Sequence, residues 1–89
     1  MGKAIKLSGR ESGVLRAIGF GLGIPGTELS DRMQMAEDEL VDVLNALLDV
    51  GYVETESMRE RVDVADFANE TFEVNPSYAG DLKAVMRRS

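Results

Sequence analysis

The stretch that decides the fold is residues 27–53, TELSDRMQMAEDELVDVLNALLDVGYV. Leu29 and Met33 are four residues apart, a spacing that places both side chains on one face of a helix. We therefore predict a short helix that ends at Met33. A tight turn at residues 34–36 then leads into a longer helix at residues 37–50.

The longer helix has a wide apolar face. Its apolar residues recur at the spacing of a buried helical stripe and cover about half of the circumference. These residues are Leu40, Val41, Val43, Leu44, Leu47, Leu48 and Val50. The opposite side carries Asp38, Asp42, Asn45 and Asp49, which we expect to face solvent. Gly51 ends the helix, because glycine readily adopts the left-handed backbone found there.

The residues before this centre predict a first helix. Ser8 and Glu11 match a capping box, in which each side chain accepts a hydrogen bond from the backbone N–H of the other residue. We expect this helix to end near Phe20 and to bury its apolar residues. These are Val14, Leu15 and Ile18. Residues 1–7 alternate between polar and apolar, which indicates either an edge strand or a loose arm.

The glycine-rich segment of residues 19–26, GFGLGIPG, does not match a phosphate-binding loop. No Lys-Ser or Lys-Thr pair follows its last glycine, and a predicted helix rather than a strand precedes it. We interpret the segment as a helix end and a turn, in which Leu22 and Ile24 fill the core. Thr27 is a good N-cap residue and is expected to start the second helix.

Two segments after Gly51 predict a β-hairpin. Residues 52–57 and 71–75 alternate and contain residues that favour strands, so we pair them as antiparallel strands. The segment of residues 58–70 between them is longer than an ordinary hairpin loop. Its apolar residues, which we expect to pack back onto the body, are Val62, Val64 and Phe67.

A last helix follows the hairpin. Asn75 is suited to the N-cap and Pro76 to the first helical position. We expect an apolar inner face and a basic C-terminal end, which suits the helix dipole. The inner face holds Tyr78, Leu82, Val85 and Met86, and the basic residues are Lys83, Arg87 and Arg88.

This order of elements resembles the winged helix-turn-helix fold, with one added C-terminal helix. The form is common among bacterial and archaeal transcription regulators. The resemblance implies one mainly helical domain over residues 1–89, with a three-helix core and a small β-hairpin. The helix-turn-helix would span about 27–50, the wing about 52–75 and the last helix about 76–88. In such regulators the second helix of the motif reads the major groove, and the last helix often forms a dimer.

The charge distribution differs from that of DNA-binding members of this family. The net charge is −6, and residues 28–56 hold nine acidic residues against one basic residue, Arg32. The rest of the chain holds seven acidic and nine basic residues. Because phosphate contacts supply most of the affinity for duplex DNA, the acidic third helix disfavours reading of the major groove.

The resemblance also assigns positions that would contact DNA. On the third helix these positions hold Glu37, Asp38, Glu39, Val41, Asp42 and Asn45. Only Asn45 is a good base reader, typically of adenine. Arg59 and Arg61 in the wing could reach a minor groove or a phosphate, but their acidic neighbours favour a solvated, locally balanced loop.

Composition argues against an enzyme. The chain contains no histidine and no cysteine, which removes a histidine base, a thiol nucleophile and the usual zinc ligands. The helix carboxylates lack the loop geometry of a calcium site. We expect no catalytic residue, no metal site and no cofactor. No apolar run approaches the roughly 20 residues that span a bilayer, and no secretory signal is visible, so we expect a cytoplasmic protein without a membrane partner.

Two functions remain. The favoured one is a non-enzymatic protein-interaction module in a transcription-related setting. Its candidate partner-facing residues are Asp38, Val41, Asp42, Asn45 and Leu48. The alternative is a dimeric DNA-binding regulator, with Asn45, Arg59 and Arg61 as candidate nucleic-acid contacts.

A two-fold homodimer is also expected, with the last helix at its apolar centre. The candidate dimer residues are Tyr78, Leu82, Val85 and Met86. Charge would set the register between the acidic middle of one copy and the basic ends of the other. The basic residues are Lys3, Lys6, Arg10, Lys83, Arg87 and Arg88. The other possibility is that the last helix folds back onto its own first helix.

Overall fold

Four helices and three short strands make up the part of the chain that we describe, residues 5–87 of a computed structural model. The helices are α1 (Gly9–Ile18), α2 (Gly26–Met33), α3 (Glu37–Val50) and α4 (Pro76–Arg87). The strands are β1 (Ile24–Pro25), β2 (Val53–Thr55) and β3 (Thr71–Val74), and a single 3-10 turn spans Phe67–Asn69. The fold is mainly helical with a small antiparallel sheet, which is compatible with a winged-helix-like domain. Lys3 and Arg88, two of the basic residues named above, lie outside the described residues.

The sheet has the strand order β1-β3-β2. β2 pairs with β3 so that Glu54 lies opposite Glu73 and Thr55 lies opposite Phe72, which confirms the predicted antiparallel hairpin. β1 pairs with the other edge of β3, where Ile24 also lies opposite Phe72. The sequence did not predict β1, because a strand of two residues after three glycines carries no periodic signal.

The buried apolar residues form a core between the helices and the inner face of the sheet. The core residues predicted on α1 and α2 belong to it, except Met33, which is half-buried against it. On α3 the buried members of the predicted stripe are Leu40, Val41, Leu44 and Leu47. Val43 and Leu48 are half-buried, and Val50 is 53% exposed, so its predicted place in the buried stripe is wrong. The sheet contributes Val53, Phe72 and Val74, and the segment after β2 contributes Val62 and Phe67. Val64 in that segment is exposed, so the prediction that it packs onto the body is wrong.

Local capping signals position α1 and α4 as predicted. The Ser8 N–H donates to Glu11 Oε1 at 2.8 Å, and the Glu11 N–H donates to Ser8 Oγ at 3.1 Å. At the start of α4 the Ser77 N–H donates to Asn75 Oδ1 at 3.0 Å. α1 ends at Ile18 rather than near Phe20. The chain turns at the next residue, a glycine with a φ of 77°.

The start of α2 differs from the prediction. Thr27 is not its N-cap, because the helix begins at Gly26 and Pro25 occupies the N-cap position without a side-chain hydrogen bond. Pairing of β1 with β3 brings the chain directly into the helix, and the Gly26 N–H donates to the Glu70 carbonyl at 2.8 Å. Leu22 is fully exposed, so its predicted burial is also wrong.

The last helix folds onto its own chain. Leu82 is completely buried and Met86 nearly so, and Arg16 on α1 donates to the Met86 carbonyl at 3.2 Å. Tyr78 packs edge-on against Tyr52, with ring centroids 5.1 Å apart. Leu82 and Met86 therefore cannot form the apolar centre of a dimer, and for these two residues the predicted role is wrong. Of the other two residues predicted at the dimer centre, Val85 is half-buried and Tyr78 is 37% exposed.

Candidate functional site

The exposed side of α3 is acidic. Asp38, Asp42 and Asp49 are exposed, and no lysine or arginine occurs between Arg32 and Arg59. Negative charge in the first turn is favoured by the helix dipole. One carboxylate there is balanced, because Glu39 pairs with Arg10 of α1 at 2.9 Å. The remaining carboxylates make this side of the helix negatively charged, which suits the basic side chains of a partner.

One flank of α3 is covered. We name residues 56–70, which join β2 to β3, the wing loop. Asn45 is only 7% exposed. Its Nδ2 donates to the Val62 carbonyl at 2.9 Å, and its Oδ1 accepts from the Val62 N–H at 2.8 Å. Val41, one turn earlier on α3, is 6% exposed.

The predicted placement of two partner-facing residues is therefore wrong. Asn45 lies under the wing loop and Val41 is buried in the core, so neither residue faces solvent. Leu48 is half-buried, whereas Asp38 and Asp42 are exposed as expected. A signal was present in the sequence: Asn45 follows Val41 by four residues and precedes Leu48 by three, so an apolar stripe runs through its position. A polar residue within such a stripe indicates a buried, hydrogen-bonded side chain.

Arg59 is held inside the wing loop. Its guanidinium pairs with the carboxylates of Asp66 and Glu70, and Glu70 also accepts from Ser57 Oγ at 2.7 Å. The Asp63 N–H donates to the Asp66 carboxylate at 2.8 Å. That hydrogen bond, followed by the contact with Arg59, holds the pKa of Asp66 below its usual value. The Asp66 carboxylate in turn raises the pKa of Arg59. Arg59 is thus paired within the loop, although 43% of its side chain remains exposed.

A cleft of about 440 Å³ opens where the C-terminal end of α3 meets β2 and the first residues of the wing loop. Its apolar residues are Leu48, Val53 and Met58, and its charged residues are Asp49, Glu54, Arg59, Glu60 and Arg61. Met58 is 72% exposed and has a left-handed backbone, with a φ of 61°. A flexible methionine at an open site adapts readily to different ligands. No pattern in the sequence indicates this cleft, since its lining depends on how the wing loop folds.

Of the three residues considered for nucleic-acid contact, Asn45 is separated from the two arginines. Asn45 is buried beneath the wing loop, whereas Arg59 and Arg61 both line the cleft. Arg59 is also paired with carboxylates of the wing loop. The three carboxylates that share the cleft with Arg61 oppose the approach of a phosphate.

Comparison with protein-family models, with curated protein sequences and with solved structures gave no match. Within residues 5–87, no helix has the length and apolarity that crossing a membrane requires. Function is therefore inferred from the surface just described.

Proposed function

We propose that this chain is a non-enzymatic winged-helix binding module that recognises a protein partner in a regulatory, transcription-related setting. The partner meets the exposed acidic side of α3 and the cleft at the C-terminal end of that helix. The observation that carries the proposal is the pair of hydrogen bonds between Asn45 and Val62. These bonds fix the wing loop along one flank of α3.

A helix that reads the major groove must offer its side chains to base edges. Here the one suitable reader on α3, Asn45, uses its amide to satisfy the backbone of Val62. Breaking those bonds would leave buried polar groups unpaired, at a cost of about 1–3 kcal/mol for each group. The carboxylates of Asp38 and Asp42 also repel phosphates. Both the charge and the covered flank favour a protein partner over duplex DNA.

The regulatory setting rests on the resemblance to winged helix-turn-helix domains. Three helices followed by a hairpin, with β1 between α1 and α2, support that resemblance. Domains of one fold can have different functions. The exposed residues, and not the fold, therefore decide whether the partner is DNA or a protein. Burial of Leu82 and Met86 within the chain favours a different protein as the partner over a second copy.

A selection from a random peptide library displayed on phage tests this function. The folded chain is the bait, and the double variant Asp38→Lys/Asp42→Lys is the matched bait with reversed charge. We expect peptides enriched in lysine and arginine on the wild type and loss of that enrichment on the variant. Equal enrichment on both baits, or no enrichment above an unrelated acidic protein, would contradict the proposal.

A further inference from the structure

We infer that the cleft at the C-terminal end of α3 binds an arginine side chain of the partner protein, with the guanidinium among the carboxylates of the cleft and the apolar stem against Met58. The inference rests on the proposed function and names the type of residue by which the partner is held. Three features of the cleft carry it: the negative end of α3, the carboxylates that the chain leaves unpaired, and an exposed apolar contact beside them.

The C-terminal end of α3 is negative and has no basic residue to balance it. Leu48, Asp49 and Gly51 line the cleft at this end, and the last turn of α3 contains no lysine or arginine. The helix dipole already places partial negative charge there, so a cation is favourable at this end and a carboxylate is not. Asp49 is exposed and adds a full negative charge. A cation that enters the cleft would therefore relieve an unfavourable arrangement.

The opposite side of the cleft adds two more carboxylates. Glu54 of β2 and Glu60 of the wing loop line it, and Glu54 also lies opposite a second glutamate, Glu73, in the sheet. Among the ion pairs within residues 5–87, none involves Asp49, Glu54 or Glu60. These carboxylates can therefore pair with a basic group of a partner.

Two arginines also line the cleft, but they balance only part of this charge. Arg59 is paired with Asp66 and Glu70, and neither of these carboxylates lines the cleft, so the charge of Arg59 is already compensated. Arg61 then stands against the three carboxylates of the lining. The cleft keeps a net negative charge, which attracts a cationic side chain and repels an anionic one.

The apolar part of the cleft fits the stem of a long basic side chain. Met58 is 72% exposed and Leu48 is half-buried, whereas Val53 is almost inaccessible, so Met58 and Leu48 make the apolar contact. Basic side chains bury their methylene stems on such surface while the charged end stays near polar groups. The volume of about 440 Å³ lies within the range of about 300–1,000 Å³ that is usual for ligand pockets, which leaves room for a whole side chain.

The distribution of the carboxylates favours arginine over lysine. They come from three elements, α3, β2 and the wing loop, and so do not form a single point of charge. A guanidinium offers five N–H donors in a planar fork and is more weakly hydrated than an ammonium group. Arginine can therefore pair with more than one carboxylate and loses less hydration when it enters the cleft.

The test is an NMR titration of the isotope-labelled full chain with blocked arginine, N-acetyl-arginine methylamide. Two control ligands are blocked in the same way: citrulline, which has the shape of arginine without its charge, and lysine, which has the charge without the planar fork. Asp49→Asn and Glu60→Gln each neutralise a carboxylate of the cleft. Asp31→Asn and Glu56→Gln make the same changes at exposed positions outside the lining.

We expect blocked arginine to shift the backbone amide signals of Asp49, Gly51 and Glu60 in a saturable way. Blocked citrulline should bind about tenfold more weakly or less, because charge-assisted hydrogen bonds are roughly twice as strong as neutral ones. Blocked lysine should also bind more weakly than arginine. Asp49→Asn and Glu60→Gln should each reduce the affinity for blocked arginine, and the two control variants should leave it nearly unchanged.

Two further measurements separate loss of binding from loss of folding. Arg61→Gln removes a positive charge of the lining that no ion pair within residues 5–87 compensates, and it should strengthen the binding of blocked arginine. Asp49→Asn should unfold at a higher temperature than the wild type, because it removes negative charge from the negative end of α3. Weaker binding by a more stable protein cannot be an effect of unfolding.

Three results would overturn the inference: no saturable shift at the cleft, equal affinity for citrulline or lysine, or binding that Asp49→Asn and Glu60→Gln leave unchanged. If Asp38→Lys/Asp42→Lys then still abolishes selection of basic peptides, the partner meets the face of α3 alone. In that case the proposed function stands without the cleft. Loss of the effect in both experiments would remove the proposed function as well.

Discussion

Asn45 on α3 and Val62 in the wing loop exchange two hydrogen bonds, with the side-chain amide of Asn45 satisfying both backbone groups of Val62. The two residues are 17 positions apart in the chain. Both are nearly inaccessible to solvent, with 7% and 3% of their surface exposed. This contact holds the wing loop against α3. It distinguishes α3 from a DNA recognition helix, whose base-reading side chains are accessible.

Asn45→Ala should destabilise the domain by about 2–3 kcal/mol, because it leaves a buried N–H and a buried C=O without partners. Urea denaturation followed by circular dichroism measures the change. The matched control is Asn69→Ala at an exposed asparagine of the same loop, for which we expect a change within about 0.5 kcal/mol. Similar losses in both variants would show that the contact between Asn45 and Val62 does not stabilise the fold.

Gly26→Ala should be among the most damaging substitutions of a glycine. A Cβ at Gly26 would lie 2.1 Å from the Phe67 carbonyl oxygen, which belongs to the backbone of the short 3-10 turn and cannot move alone. We expect a loss of about 3 kcal/mol or more in the free energy of unfolding.

Gly80→Ala is the control for Gly26→Ala. Gly80 lies within α4, and a Cβ there would meet nothing within 4 Å. Alanine should therefore stabilise the helix by about 0.5–1 kcal/mol. Thermal unfolding of the two variants compares them directly, and the same sign of change in both would contradict the packing described here.

The ion pair within the wing loop makes part of the stability depend on pH. Because the pKa of Asp66 is held below its usual value of 3.8, the folded state retains the charged carboxylate at a pH where the unfolded chain takes up a proton. The stabilisation is present above the pKa of the unfolded chain and is lost as the pH falls through the lower pKa of the folded state.

Asp66→Asn should therefore reduce the fall in urea midpoint between neutral pH and about pH 3. Asp31→Asn, at an exposed position of α2, is the control for removal of one carboxylate. An equally steep fall in Asp66→Asn and the wild type would argue against this contribution.

Glu54 and Glu73 face each other directly across the β2–β3 pair, and both are half-buried. Like charges at opposite positions destabilise a sheet, and opposite charges contribute roughly 0.2–1 kcal/mol. Glu73→Lys should therefore raise the urea concentration at the midpoint of unfolding. The double variant Glu54→Lys/Glu73→Lys restores like charge and should lose that gain. Coupling between the two positions is the expected result, and purely additive effects would contradict it.

The parts of the fold that the sequence predicted are those with local causes. Ser8 with Glu11, and Asn75 with Pro76, start helices through contacts between near neighbours. The hairpin followed from alternation within β2 and β3. The parts that it did not predict depend on contacts between distant residues.

β1 forms because it pairs with an edge of β3. Asn45 is buried because the wing loop packs against α3. The last helix is a similar case. Its apolar face was recognised correctly, but a face alone does not tell whether the same chain or another copy covers it. The cleft was not visible in the sequence, since its lining combines α3, β2 and the wing loop.

We propose that α3 presents an acidic, partly covered surface to a protein and does not read DNA. The measurement that tests this most directly is the affinity of the chain for random-sequence DNA duplexes at physiological salt. We expect no strong binding by the wild type, and a rise of about tenfold or more in non-specific affinity for Asp38→Lys/Asp42→Lys. The contrary result is wild-type binding with a Kd below about 10⁻⁸ M, the range of specific recognition, that is lost in Asn45→Ala.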